Sequence, residues 1–509
     1  MKRFFPLLFS LTLLLSLLPG CNMSDPIEEE PEFFDEETSE SETSHLRISD
    51  FSLPVYSGAT LDPILCSDGV QQTLSCLLYE GLFALKPDFT FTPRLCASYT
   101  YDAEHYTYYF TLRAGVCFGD GSALTPKDVV ASFRRAAESK RYRSRFRTVV
   151  AYYAKGTDTV VVSLNCDNAA LPALLDIPIV KAGTEWQAVP LGTGPYLYIA
   201  KSEGDLLLAN ESWWGGTPVL QKIPLVPVKD EDAASYRFSG SEVQLLATEL
   251  IGQSPVSTAG RVCITDAPGA TMQYLGFRDE GLFSSIPLRR ALSLGLRRQE
   301  LCSGYLSGHA LAAEFPLSPA SPLYPSALEA GYNAGAFANA MSELGYELTS
   351  EVKHTAQLIV AEESSYKLNI AEAISEVLAP YGINIVVKAL PWAEYLDALQ
   401  NDKYDIYYAT VRLTPDWDLR PLLGSYGGLN YGHYSSEETD ALLRDYLSSP
   451  SAATMERLAR KLQEDMPVVP LFFQSLSVLT QEQVLSSLTP SASDPFYGMA
   501  QWELHLDPK

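Results

Sequence analysis

The run Arg412-Leu413-Thr414-Pro415-Asp416-Trp417-Asp418 sets a guanidinium, an indole and two carboxylates within seven residues. In a closed cleft a carboxylate loses its hydration unless a cation meets it, so an aspartate there selects amines. The planar fork of Arg412 suits a carboxylate, and Trp417 and Trp392 offer flat apolar surface to a pocket. Each has a structural alternative: Asp416 caps the following turn or pairs with Arg412 or Arg420, and the tryptophans pack into the core. The chemistry on offer is recognition. The sequence holds no G-x-S-x-G elbow, no Walker loop and no H-E-x-x-H helix. His45, His105, His309, His354, His433 and His505 show no metal-ligand spacing. Gly192-Thr193-Gly194-Pro195-Tyr196 lacks the third glycine and the following helix of a dinucleotide loop, so it reads as a tight turn entering a strand at Tyr196–Ala200. No cofactor is expected.

The elements that must position these residues form a β-α-β-α-β block. Gln357–Ala361 is a short buried strand, and apolar residues at 370, 374, 377 and 378 mark a helix stopped by Pro380 and Gly382. Ile383–Leu390 is the next strand. Pro391 opens a helix in which Tyr395, Leu396 and Leu399 share a face, and Tyr404–Val411 is the third strand. Strands separated by helices of this length run parallel with right-handed crossovers. Their carboxyl ends therefore share one sheet edge, which carries Glu362, Glu363, Trp392, Arg412 and Asp416. Ligands of open α/β sheets bind at that edge. Upstream, Phe118-Gly119-Asp120-Gly121 is a turn into a helix that Thr125 caps and Pro126 begins.

The chain has 509 residues, 37 Lys and Arg against 62 Asp and Glu, and a formal net charge of −25, which excludes nucleic acid as a partner of the whole protein. The hydrophobic share of 46% excludes bulk disorder. Residues 134–147 hold seven basic side chains around Tyr142 and Phe146. They read as a solvated helix end and loop, with lipid headgroups as the alternative contact. Eight cysteines contain no C-x-x-C pair, which argues against a zinc ribbon and a full disulfide framework. Most read as small buried apolar residues. At the N-terminus, Lys2 and Arg3 precede an apolar stretch from Phe4 to Leu18, the pattern of an export signal. Leu18-Pro19-Gly20-Cys21 resembles the bacterial lipoprotein box, although Pro19 departs from the usual Ala or Ser; the resemblance implies a lipid on Cys21. From Cys21 to Ser44 there are ten acidic residues and no Lys or Arg, a self-repelling tether.

Several segments, in order, resemble the extracytoplasmic solute-binding proteins of ABC transporters, specifically family 5, the peptide- and nickel-binding type. They include Thr60-Leu61-Asp62-Pro63, Leu78-Tyr79-Glu80-Gly81-Leu82, Pro93-Arg94-Leu95, Leu124-Thr125-Pro126-Lys127-Asp128-Val129, Gly192 to Tyr196, Asn210 to Pro218, Leu288 to Leu292 and Pro467 to Leu471. The resemblance runs from about residue 60 to 475. It implies a two-lobed α/β periplasmic-binding-protein type II fold, a "Venus flytrap", with an extra subdomain in lobe I. The implied organisation is a signal peptide at 1–20 and a tether at 21–45. Lobe I then spans 46–270 with an inserted subdomain at about 70–190, lobe II spans 271–474, and residues 475–509 return to lobe I. It further implies a non-enzymatic, monomeric lipoprotein at the outer face of the cytoplasmic membrane, handing an oligopeptide to a permease and its ATPase subunits. Asp416 or Asp418 would hold the ligand's ammonium, with Trp417, Trp392 and Arg412 beside it. A nickel chelate, heme or oligosaccharide is the alternative cargo, and His433 would matter only for a metal chelate. Peptide sensing without transport and an exported hydrolase are the competing roles.

Overall fold

A computed structural model describes residues 50–251, 262–482 and 484–506. Cys21, the signal segment and the acidic tether lie outside the described residues. The described residues belong to one compact unit by contact.

The central sheet has the order 245–248, 468–481, 262–277, 406–412, 349–361, 381–390, with Ala310–Ala312 also pairing along the 468–481 strand. The last three strands are mutually parallel, and the rest pair antiparallel. Between the parallel strands lie the helices Ser365–Ser375 and Trp392–Gln400. Ile370, Ala371 and Ile374 bury one face of the first; Tyr395, Ala398 and Leu399 bury one face of the second. The strand expected to begin at Gln357 starts at Thr349. Its first seven residues are polar except for the exposed Val352, so they carry no hydrophobic alternation, and pairing with Tyr381–Leu390 holds them extended. The preceding helix ends at Ser375, and a turn through Leu378 carries the buried face on to Tyr381.

Two long strands, Val262–Phe277 and Val468–Gln481, pair with each other along most of their length, and their ladder breaks between Pro268 and Met272. The hydrophobic cores separate on either side of that break. Three cores draw on residues before Val262 and after Ser477. Two draw on residues 272–473, joined by Phe89 and Ile251. One of the first three cores packs under a four-stranded sheet of 96–102, 107–112, 159–164 and 149–155, and the helix Pro126–Glu138 covers it. That helix starts as its sequence dictates: the Asp128 carboxylate accepts from both the backbone N–H (2.9 Å) and the hydroxyl (2.6 Å) of Thr125, with Pro126 at the first helical position.

Gly194 is glycine for a reason of space. Its N–H donates to the Leu78 carbonyl at 3.0 Å, and a Cβ there would stand 2.5 Å from that carbonyl carbon. The turn around it feeds the strand Tyr196–Ile199, as its sequence suggests.

Candidate cationic site at the sheet edge

The strand Ile406–Arg412 pairs with Thr271–Phe277, which sets Arg412 opposite Thr271 beside the broken ladder. Leu413 closes the exit by donating its N–H to the Ala270 carbonyl at 2.9 Å. The chain then folds back through Thr414, whose carbonyl accepts from the Trp417 N–H at 2.8 Å, with Trp417 at φ 54°. This turn aims the next side chains inward. Trp417 is 2% exposed and packs edge-on against Phe89 (4.9 Å between centroids) and Phe473 (6.3 Å).

The two aspartates of this turn already have partners. Buried Asp416 accepts from the Asn168 side-chain amide at 2.9 Å and from the Asp418 N–H at 3.3 Å. Burial, with the nearby Asp418 charge, raises the Asp416 pKa above the usual carboxylate value. Asp418 accepts from Arg420 Nε (2.8 Å) and Nη2 (2.9 Å), and from Arg147 Nη1 at 3.2 Å. The pairing with Arg420 thus belongs to Asp418, and Asp416 sits behind it. These contacts, with the Ala169 N–H to the Leu447 carbonyl at 2.9 Å, join the segment 147–169 to the segment 416–447.

In front of the turn lies a cavity of about 190 Å³. Its walls come from four places: the turn at Leu85, Lys86 and Phe89; the end of the basic run at Lys140, Arg141, Ser144 and Arg145; the ladder break at Pro268 and Ala270 with the strand end at 412–415; and Ser491–Ser493. A second cavity of about 80 Å³ shares Leu85, Arg141, Arg145, Arg412 and Ser493 with it and extends to Glu80, Arg94, Asp176 and Asp494. Of the residues singled out from sequence, Arg412 lines both. Asp416, Trp417 and Asp418 follow the wall residues Thr414 and Pro415 without lining either cavity. Trp392 is exposed on the sheet edge, its ring stacked on Tyr395, and its backbone N–H donates to the Glu363 carboxylate at 2.8 Å. His433 lines neither cavity; its Nε2 is 2.9 Å from Asp402.

The basic run is only in part the solvated helix end and loop expected of it: Arg134, Lys140, Arg143 and Arg147 are exposed, while Arg135, Arg141 and Arg145 are half-buried. Arg135 is ion-paired with Asp62, Arg145 with Asp176, and Arg147 with Asp418. The Arg141 and Arg145 guanidiniums flank the buried Tyr142 ring, each 5.2 Å from its centroid. Crowding leaves an electrostatic signature. Burial first, with Arg412 and Arg141 adding like charge against the favourable Tyr142 and Asp416, pushes the Arg145 pKa down to about 10. Burial and then Arg141 lower Arg412 as well. In the second cavity, burial pushes Asp494 up to about 6 against the opposing pull of Arg94. Burial likewise raises Glu80, whose Oε2 accepts from Thr193 at 3.1 Å and Trp214 at 2.8 Å.

One serine–histidine–aspartate group near the site lacks the geometry of a catalytic triad. Ser477, His309 and Asp266 meet near the ladder break, yet Asp266 accepts from Ser477 at 2.6 Å and also lies 3.0 Å from His309 Nδ1. Ser477 Oγ is 3.5 Å from the same Nδ1, so the imidazole does not stand between hydroxyl and carboxylate as a general base must. Among the described residues no group of three or more His, Cys, Asp or Glu could hold a metal ion, and no helix is long and apolar enough to cross a membrane. Cys66, Cys76, Cys96, Cys117, Cys166, Cys263 and Cys302 are free, and Cys66, Cys96 and Cys302 are buried.

Comparison with known proteins places this geometry in context. A family model described as bacterial extracellular solute-binding proteins, family 5 middle, matches residues 90–430. The glutathione-binding protein GsiB of Pectobacterium atrosepticum is 24% identical over 437 residues, covering 80% of this chain and 84% of that protein. Among solved structures, the oligopeptide-binding protein AppA of Bacillus subtilis, in complex with a nonapeptide, superposes with a TM-score of 0.61 at 20% identity, covering 90% of this chain and all of that one. The nickel ABC transporter protein of Bacillus halodurans gives 0.73 at 18% identity, covering 88% and 98%. At such identities these structures speak to the fold: the periplasmic-binding-protein type II architecture of family 5.

Proposed function

The chain belongs to the bacterial extracellular solute-binding proteins of family 5, the binding components of ABC importers, and on that premise we propose that it captures a small peptide or peptide-like solute in the Arg412 cavity and delivers it to a membrane permease. The observation that carries the proposal is the composition of the cavity wall. Lys86, Arg141 and Arg145 come from the N-terminal part of the chain, and Arg412 to Pro415 from the part that follows the ladder break. A ligand held between them draws the two parts together.

Residues 46–270 with 475–509, and residues 271–474, act in this proposal as the two lobes. The ladder break between Pro268 and Met272 is the hinge, and the separation of the cores on either side of it supports this. Solute binding then shifts an open–closed equilibrium by its differential affinity for the closed form. Arg412 touches the solute. Asp416 and Asp418 act from behind, latching the lobes through Asn168 and Arg147, while Trp417 braces Phe89 in the cavity wall. Trp392 stands at the rim. A dissociation constant near micromolar corresponds to about −8 kcal/mol, within reach of charged anchors and main-chain hydrogen bonds with no chemistry on the solute. A lipid on Cys21 and the acidic segment that follows it would hold the monomer at the outer face of the cytoplasmic membrane.

The test is to extract the protein from its own cells in detergent and identify by mass spectrometry the small molecule that co-purifies. An intact peptide or related solute supports the proposal. A metal chelate, heme or oligosaccharide instead would replace the cargo and keep the role.

A further inference from the structure

The composition of the Arg412 cavity is opposite to that of the chain. A protein with a formal charge of −25 lines this cavity with Lys86, Lys140, Arg141, Arg145 and Arg412, and with no Asp or Glu among the described residues. Of the carboxylates nearby, Asp176 pairs with the lining Arg145, whereas Asp418 is committed to Arg420 and Arg147 and Asp416 to the Asn168 amide. Even with the adjoining cavity included, Glu80, Asp176 and Asp494 face six cations.

Arg141 makes the demand for a partner specific. Its Nη1 is buried with no hydrogen-bond partner, while its guanidinium packs on the Tyr142 ring. A buried guanidinium N–H without an acceptor is costly, and so is the mutual repulsion of Arg141, Arg145 and Arg412. A polyanionic guest relieves both at once, whereas an ammonium group adds to the repulsion.

We propose that the solute class is anionic, carrying two or more carboxylates, as an acidic peptide does, and that Arg141 and Arg412 select it. This rests on the solute-capture function above and narrows its ligand.

Isothermal titration of the full chain in detergent with alanyl-glutamyl-glutamate, trialanine and alanyl-lysyl-lysine separates the outcomes. The acidic peptide is expected to bind at least about tenfold tighter than trialanine, with an advantage that shrinks as salt rises. The lysine peptide is expected to bind weakest. Arg141→Gln and Arg412→Gln should each weaken the acidic peptide about tenfold or more and trialanine less. Lys140→Gln, at an exposed position, should show the same trend more weakly and serves if an arginine variant fails to fold. Equal affinities, or a preference for trialanine or the lysine peptide, overturn the charge selection and leave solute capture standing. Absence of binding by all three overturns the acidic-peptide class, and the co-purifying molecule then decides solute capture separately.

Discussion

Replacing Asp418 by Asn separates a structural latch from a ligand anchor. Asp418 is 6% exposed and receives three N–H contacts from two guanidiniums, Arg420 at 2.8 and 2.9 Å and Arg147 at 3.2 Å. Stripping the charge from a buried pair costs about 3–5 kcal/mol when the orphaned partner stays buried. Here the Arg420 and Arg147 side chains are 27% and 41% exposed, so both regain hydration, and the Asn oxygen still accepts one bond. The expected loss is therefore about 2–3 kcal/mol. Asp416→Asn provides the contrast. Burial and the Asp418 charge already favour the neutral form of Asp416, and Asn is its neutral isostere, so the cost should stay below about 1 kcal/mol. Urea denaturation of the three proteins near neutral pH, with unchanged slopes, measures both. Near-native stability for Asp418→Asn, combined with loss of solute binding, would refute the latch and make Asp418 a ligand contact.

Three further outcomes follow from the same structure. Asp494 has a folded-state pKa of about 6, above its unfolded value, so its contribution to stability is complete at pH below about 4 and is lost as pH rises through 6; Asp494→Asn should raise the melting temperature at pH 7.5 and not at pH 4, and an equal rise at both would contradict this. Gly194→Ala pushes a methyl group into the Leu78 main chain and should cost at least about 1–3 kcal/mol in denaturant titration, whereas a neutral result would mean that the turn moves aside freely. The seven described cysteines are free, so adding reductant should leave the thermal transition where it is; a downward shift would reveal a disulfide.

The sheet edge was legible from sequence because its signals are local: 357–361, 383–390 and 404–411 are short runs rich in apolar residues, with Pro380, Gly382 and Pro391 among the breakers between them, and the structure makes them parallel strands. Its direction put Arg412 at the mouth of the cavity. Asp416 and Asp418 could not be told apart beforehand because two carboxylates two residues apart look alike in sequence. Which one meets Arg147 depends on a segment 271 residues away. The same limit hid the rest of the site. Arg141 and Arg145 look like ordinary helix-end charges until Tyr142, Asp176 and Arg412 close around them, although their four-residue spacing on either side of a buried tyrosine was a usable signal. For Trp417 and Trp392 the sequence left pocket wall and core packing both open. The left-handed backbone at Trp417 turns its ring into the core, while Trp392 begins a helix at the open edge.

The central claim is capture without chemistry. Incubating the purified protein with a pool of short peptides, then recovering the bound fraction for mass spectrometry while small-angle scattering follows the radius of gyration, tests it most directly. The account predicts an unaltered bound solute and a smaller, closed particle. Cleaved peptides, or retention of a solute with no change in shape, would contradict it.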